Sequence, residues 1–225
     1  MNLKGSGGRA KLSEDMLVYE KKLWKQGWEL VAGVDEVGRG PLAGPVVAAC
    51  VILPKNLLLP GVDDSKKLTR IKREKLFEQI MDHAIEVGIG MVREKTIDRI
   101  NILNASLKAM WKAVKKLGVS PQFVLVDGNQ KIPNLPFPQM PIVKGDSKSI
   151  CVASASIVAK VTRDKIMHNY HKKYPQFCFA QNKGYSTKSH LEALKTFGPC
   201  RIHRRSFKII KLLETNQMAF GIMES

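Results

Sequence analysis

The sequence predicts an α/β fold, a β-sheet flanked by helices, with a helical C-terminal region. Two observations predict it. Short apolar runs of strand length, at 30–34, 46–53 and 123–126, alternate with stretches whose apolar residues recur at three- and four-residue spacing. The last third of the chain carries helical patterns alone. With 225 residues, the chain is long enough to bury a proper core.

The elements follow in order. Residues 1–12, with Gly5-Ser6-Gly7-Gly8 in their midst, are expected to form a flexible arm and lack the apolar stretch of a signal peptide. Residues 13–26 read as a short amphipathic helix with Ser13 as N-cap, Met16, Leu17 and Leu23 as anchors, and Gly27 as its stop. Two strands come next, able to pair as a hairpin around an acidic turn at Asp35-Glu36. A loop over 54–67 carries Asp63-Asp64-Ser65-Lys66-Lys67. Thr69 starts a helix whose Phe77, Ile80, Met81 and Ala84 share a face, and 86–92 alternate as a third strand. Ile100, Leu103, Leu107, Met110, Trp111, Val114 and Leu117 form one stripe, which predicts a single helix over 95–117 closed by Gly118. A buried-type strand then ends in Asp127-Gly128, and a shorter one at 141–143 ends in Lys144-Gly145-Asp146. Small residues such as Ala153, Ser154, Ala155, Ser156 and Ala159 predict a closely packed helix within 147–173. Two more helices are expected at 187–197 and 206–217, with a basic loop between them.

Charge narrows the partners. Lys and Arg number 37 against 20 Asp and Glu, for a net charge of +17. So large an excess points to a polyanion, most often nucleic acid. No apolar run approaches the roughly 18 residues that a membrane span requires. Cys50, Cys151, Cys178 and Cys200 stand far apart, which excludes a zinc knuckle or a redox pair. Cys50 and Cys151 have small apolar neighbours and are expected buried and reduced, as in a cytoplasmic protein.

In this basic chain, three strands end in acids: Asp35-Glu36, Asp127 and Asp146. Ligand sites in open α/β sheets gather at the strand ends. Adjacent carboxylates repel and raise each other's pKa. A hard divalent cation removes that penalty, and an acid cluster without Cys or His suits Mg²⁺ or Mn²⁺ rather than zinc. Two such ions can activate a water and stabilise the leaving oxygen in phosphodiester hydrolysis. Asp164 is an accessory candidate. It lies 18 residues beyond Asp146 (164 − 146), ~27 Å along a continuous helix, so both reach one site only if the helix starts late or the chain folds back.

The stretch GVDEVGRGPLAGPVV resembles the signature of ribonuclease HII, the type 2 ribonucleases H. Further blocks agree in family order over roughly residues 13 to 207: Asp64-Ser65-Lys66-Lys67-Leu68, Val126-Asp127-Gly128, Lys144-Gly145-Asp146-Ser147, ASIVAKVTRD from Ala155, Asn182-Lys183-Gly184-Tyr185, and His203-Arg204-Arg205-Ser206-Phe207. The resemblance implies a ribonuclease H-like mixed sheet in a catalytic domain over 13–175. A helical region over 176–225 would complete the substrate groove. It implies Asp35, Glu36, Asp127 and Asp146 as ligands of two Mg²⁺ or Mn²⁺ ions. The implied reactions are cleavage of the RNA strand of RNA–DNA hybrids and incision 5′ of single ribonucleotides in duplex DNA. Both leave 5′-phosphate and 3′-hydroxyl ends, and both serve removal of misincorporated ribonucleotides and RNA primers. Gly38-Arg39-Gly40 would read the 2′-hydroxyl, the group that tells RNA from DNA. Tyr185 would pack against the sugar on the DNA side of the junction. Lys66, Lys183, Lys188, Arg204 and Arg205 are expected at phosphates, and His203 at a phosphate or product or merely on the basic surface. Residues 211–225 match nothing, and a monomer is expected.

Two other readings remain open from the residues themselves. A junction resolvase of the same fold accounts for the acids and the charge but not for the Gly-Arg-Gly and tyrosine blocks. A non-catalytic nucleic-acid-binding module accounts only for the charge, and clustered carboxylates would weaken it.

Overall fold

The computed structural model describes residues 16–62, Ser65 and 68–221, with side chains as far as Glu214 and Thr215. The arm at 1–12, Ser13 as N-cap, and Lys66 lie outside the described residues. The elements in chain order are α1 (Val18–Lys25), β1 (Val31–Val37), β2 (Val46–Ile52), α2 (Arg70–His83), β3 (Glu86–Val92), α3 (Glu94–Ile100) and α4 (Ile102–Lys115). They continue with β4 (Phe123–Asp127), β5 (Gln139–Ile142), a 3-10 turn at Gly145–Ser147, α5 (Ile150–Lys173), a 3-10 turn at Pro175–Phe177, α6 (Phe179–Asn182), α7 (Lys188–Phe197) and α8 (Lys208–Gly221).

The five strands form one mixed sheet in the order β3-β2-β1-β4-β5. β1 and β2 pair antiparallel, with Val34 opposite Cys50, as the expected hairpin requires. β1 and β4 pair parallel, as do β4 and β5. Strands covered on both faces read as unbroken apolar runs. β2 (VVAACVI) is buried at all seven positions.

The chain forms two compact units. The first comprises 1–37, 47–91 and 107–161, the second 38–46, 92–106 and 162–225. In the first unit, α5 lies against the sheet. Its small residues Ala153, Ala155 and Ala159 are fully buried beside Val51 and Ile80. A β-carbon at Gly33 of β1 would collide with the backbone of Cys151 and Val152, so only glycine permits this approach. Glu20 on α1 accepts hydrogen bonds from Ser149 Oγ (2.5 Å) and Cys151 N (3.2 Å), capping the α5 N-terminus. Cys50 and Cys151 are buried free thiols. The second unit has its own core around Leu42, Met167, Phe177, Phe179, Leu194 and Ile202.

Two expectations differ: Asp35 and Glu36, expected in a turn, lie within β1 and pair with Ala49 and Ala48 of β2, and one helix is broken. The helix predicted over 95–117 is two helices, broken at Asn101, whose φ is +65°. With ψ at 169° the residue is neither helical nor left-handed helical, so the helix stops there. Asn101 Oδ1 then accepts from Asn104 N at 3.0 Å, capping α4. The apolar stripe runs through the break, and its spacing therefore conceals it.

Candidate active site

In the first unit, parallel register aligns the acidic strand ends. Val34 of β1 pairs with Val126 of β4, so the residues that follow them, Asp35 and Asp127, sit side by side. Asp127 in turn pairs with Ile142 of β5, which leads into the turn that holds Asp146. Carboxylate oxygens of Asp35, Glu36 and Asp127 lie within 4.8 Å of one another. Asp146 is buried beside them and acts on the Asp35 carboxyl through its charge, but is not one of the close three.

Asp35 and Asp127 each have a defined support. Asp35 Oδ1 accepts from the backbone N of Glu36 at 2.6 Å. Ser156 on α5 also hydrogen-bonds the Asp35 side chain, and itself meets Ser65 at 2.9 Å. Asp127 Oδ1 accepts from Gly145 N at 2.7 Å, tying the end of β4 to the Asp146 turn. Burial, then the charges of Glu36 and Asp127, push the Asp35 carboxyl well above the ordinary carboxylate range. A cation held among these oxygens would offset both effects by favouring the charged carboxylates. The donor set is carboxylate only, which fits a hard divalent ion.

The second unit holds the glycine–arginine turn and Tyr185. Gly38 has φ +97°, a left-handed backbone suited to glycine, while Arg39 and Gly40 are exposed. A β-carbon at Gly40 would stand 3.6 Å from the Tyr185 ring, so turn and tyrosine are neighbours. Tyr185 is 42 % exposed, a stackable ring at the surface. Asp164 lies on α5 within this unit, next to Arg163, and outside the close group of three acids. Lys188 opens α7 and is exposed. Lys183 Nζ donates to Ala180 O at 2.6 Å, and Arg205 pairs with Glu214 at 2.5 Å.

Arg204 and His203 correct the expectation. Arg204 is fully buried, and its guanidinium donates to Gly38 O (2.6 Å), Arg39 O (2.9 Å) and Gly44 O (2.8 and 2.9 Å). It clamps the turn from beneath and has no surface to offer a phosphate. Burial, then the nearby Arg163 charge, lower its pKa to about 9. Arg163, also buried, donates to Pro45 O, Ala43 O and Lys183 O. The buried Glu94 carboxylate opposes both guanidinium charges. Arg163, Glu94 and Ser156 are the supports that sequence reading missed. The one signal in the sequence that could have found Arg163 is a cation set in the apolar-flanked ASIVAKVTRD block. His203 is buried as well.

Comparison with known proteins decides the family. The family model described as Ribonuclease HII matches residues 32–210, most of the chain. The chain belongs to the ribonuclease HII family. It is 60 % identical over 200 residues to a Ribonuclease HII of Caldanaerobacter subterraneus subsp. tengcongensis, covering 88 % of this chain and 83 % of the relative. It is 55 % identical over 201 residues to one of Geobacter metallireducens, covering 86 % and 94 % respectively. Among solved structures it is similar to the ribonuclease H2 of Pyrococcus horikoshii OT3, with a TM-score of 0.69 and 31 % identity over 83 % of this chain and 98 % of that one. The fold of Bst-RNase HIII, solved in complex with Mn²⁺, matches with a TM-score of 0.66 at 18 % identity, covering 83 % of this chain and 70 % of that one. The ribonuclease HII chain is therefore a divalent-metal-dependent ribonuclease H acting on RNA–DNA hybrids.

Proposed function

We propose that Asp35, Glu36, Asp127 and Asp146 hold two divalent ions, Mg²⁺ or Mn²⁺, and that the enzyme also incises 5′ of single ribonucleotides in duplex DNA. The products carry 5′-phosphate and 3′-hydroxyl ends. The observation that supports this most is the group of three carboxylates brought within 4.8 Å by parallel register. When bound, the ions supply a water acidic enough to attack and neutralise charge on the leaving oxygen.

The chain's own residues do the rest. Asp127 and Asp35 are fixed by the Gly145 N–H and by Ser156, so the site is set before any substrate arrives. Gly38-Arg39-Gly40, held by Arg204, presents a rigid turn to the 2′-hydroxyl. Tyr185 stacks on the deoxyribose that follows the ribonucleotide. Lys66, Lys183, Lys188 and Arg205 contact phosphates, and Asp164 serves as an accessory acid. No helix among the described residues is long and apolar enough to cross a membrane. We place the enzyme in the cytoplasm as a monomer that removes misincorporated ribonucleotides and RNA primers.

The test is a DNA duplex with one internal ribonucleotide, incubated with Mg²⁺ or Mn²⁺. A single cut on the 5′ side of the ribonucleotide is expected. Folded protein that cuts uniform hybrid but leaves this duplex intact would refute the ribonucleotide reading.

A further inference from the structure

Two buried histidines beneath Tyr185 have no part in the chemistry above. His190, on α7, and His203, in the loop before Arg204, meet Nε2 to Nε2 at 3.0 Å. Cys200 N donates to His203 Nδ1 at 2.9 Å. His190 Nδ1 faces Tyr185 O at 2.7 Å. These partners fix both tautomers. A backbone N–H can only donate, so His203 Nδ1 carries a lone pair and its proton sits on Nε2. A carbonyl can only accept, so His190 Nδ1 carries the proton and its Nε2 accepts from His203. Every polar atom of the pair is satisfied in the neutral state, and neither ring can take a second proton without placing N–H against N–H. Phe177 and Phe179 enclose the rings, with centroids 4.9–6.1 Å away.

We propose that His190 and His203 form a positioning relay that fixes the backbone at Tyr185 against the Gly38–Gly40 turn, and so sets selectivity for the ribonucleotide–DNA junction. The selectivity role of the relay rests on the assignment of Tyr185 to the junction. The relay runs in one direction, from Cys200 N–H through both imidazoles to the carbonyl of Tyr185. At its Cys200 end, His203 adjoins Arg204, which holds Gly38 and Arg39, and Ala43 bridges directly to His203. One short loop thus holds both the turn and the tyrosine. If the pair served only to fill the core, an apolar pair of the same shape would be nearly neutral, without two desolvated imidazoles. A fully satisfied buried polar network instead specifies one arrangement.

The experiment has two arms. Imidazole ¹⁵N spectra of the intact protein should show His203 protonated at Nε2 and His190 at Nδ1; the opposite tautomers overturn the relay whatever Tyr185 does. Steady-state kinetics on a single-ribonucleotide duplex and on uniform hybrid form the second arm. His190→Ala should lower kcat/KM for the junction about three- to tenfold relative to hybrid, the worth of one hydrogen bond. His190→Asn, which keeps a donor towards Tyr185 O, should recover most of that loss. In a Tyr185→Ala background His190→Ala should change the ratio no further. If Tyr185→Ala is selective and His190→Ala slows both substrates equally, the relay is wrong and the junction reading stands. If Tyr185→Ala is itself unselective, the junction reading fails and takes the selectivity role of the relay with it.

Discussion

At the residue scale, one carboxylate carries the strongest expectation. Asp127 belongs to the close group of three acids, held by Gly145 N–H and adjoining Asp35. Asp127→Asn keeps the volume and removes a charge, so incision should be abolished while hybrid binding persists; near-normal turnover in a gel assay would remove Asp127 from the site. Tyr185→Ala should lose activity on junction substrates more than on uniform hybrid, and an equal loss on both would contradict its role. His203 gives a pH expectation. Burial, then the neighbouring His190, lower its pKa from 6.5 to about 3. Between those values the unfolded chain binds a proton there and the folded chain does not, so stability falls as pH drops from 6.5 towards 3. Denaturant midpoints across that window should fall more steeply for the native protein than for His203→Gln; parallel slopes would contradict the assignment. Residue type explains what could be read in advance. Asp35-Glu36 ends an apolar run, where an acid needs a reason. Arg204 stands beside Arg205 in a basic loop, and nothing in the letters says that one is buried and the other exposed.

At the element scale, the sheet and its helices follow from periodicity. β2 announces itself by an unbroken apolar run, and the close packing of α5 by its alanines and serines. The register that gathers the acids was not readable, because it depends on which strands pair. Nor was the break at Asn101, where a polar side chain both ends α3 and caps α4 without disturbing the stripe. β1 meets the backbone of α5 closely at Gly33. Gly33→Ala should destabilise the fold by about 1–3 kcal/mol or more, since its methyl would overlap the Cys151–Val152 backbone. An unchanged midpoint in chemical denaturation would show that α5 can move away at little expense.

At the scale of the whole molecule, charge and metal act together. A net +17 should make substrate affinity fall steeply with salt, linearly in log–log form, while the carboxylates keep one patch negative enough for cations. The basic excess was legible from composition alone, whereas the division into two units, each assembled from separate stretches of chain, was not. Chain order hides which segments will fold together.

The central claim is that the acid group of β1 and β4 is the metal site of the enzyme. Calorimetric titration of Mn²⁺ into the native protein and into Asp127→Asn tests it without relying on turnover. The native protein should bind Mn²⁺, and the folded variant should bind it at least about tenfold more weakly, a loss of about 1.4 kcal/mol. Equal affinity in the two proteins would place the metal elsewhere.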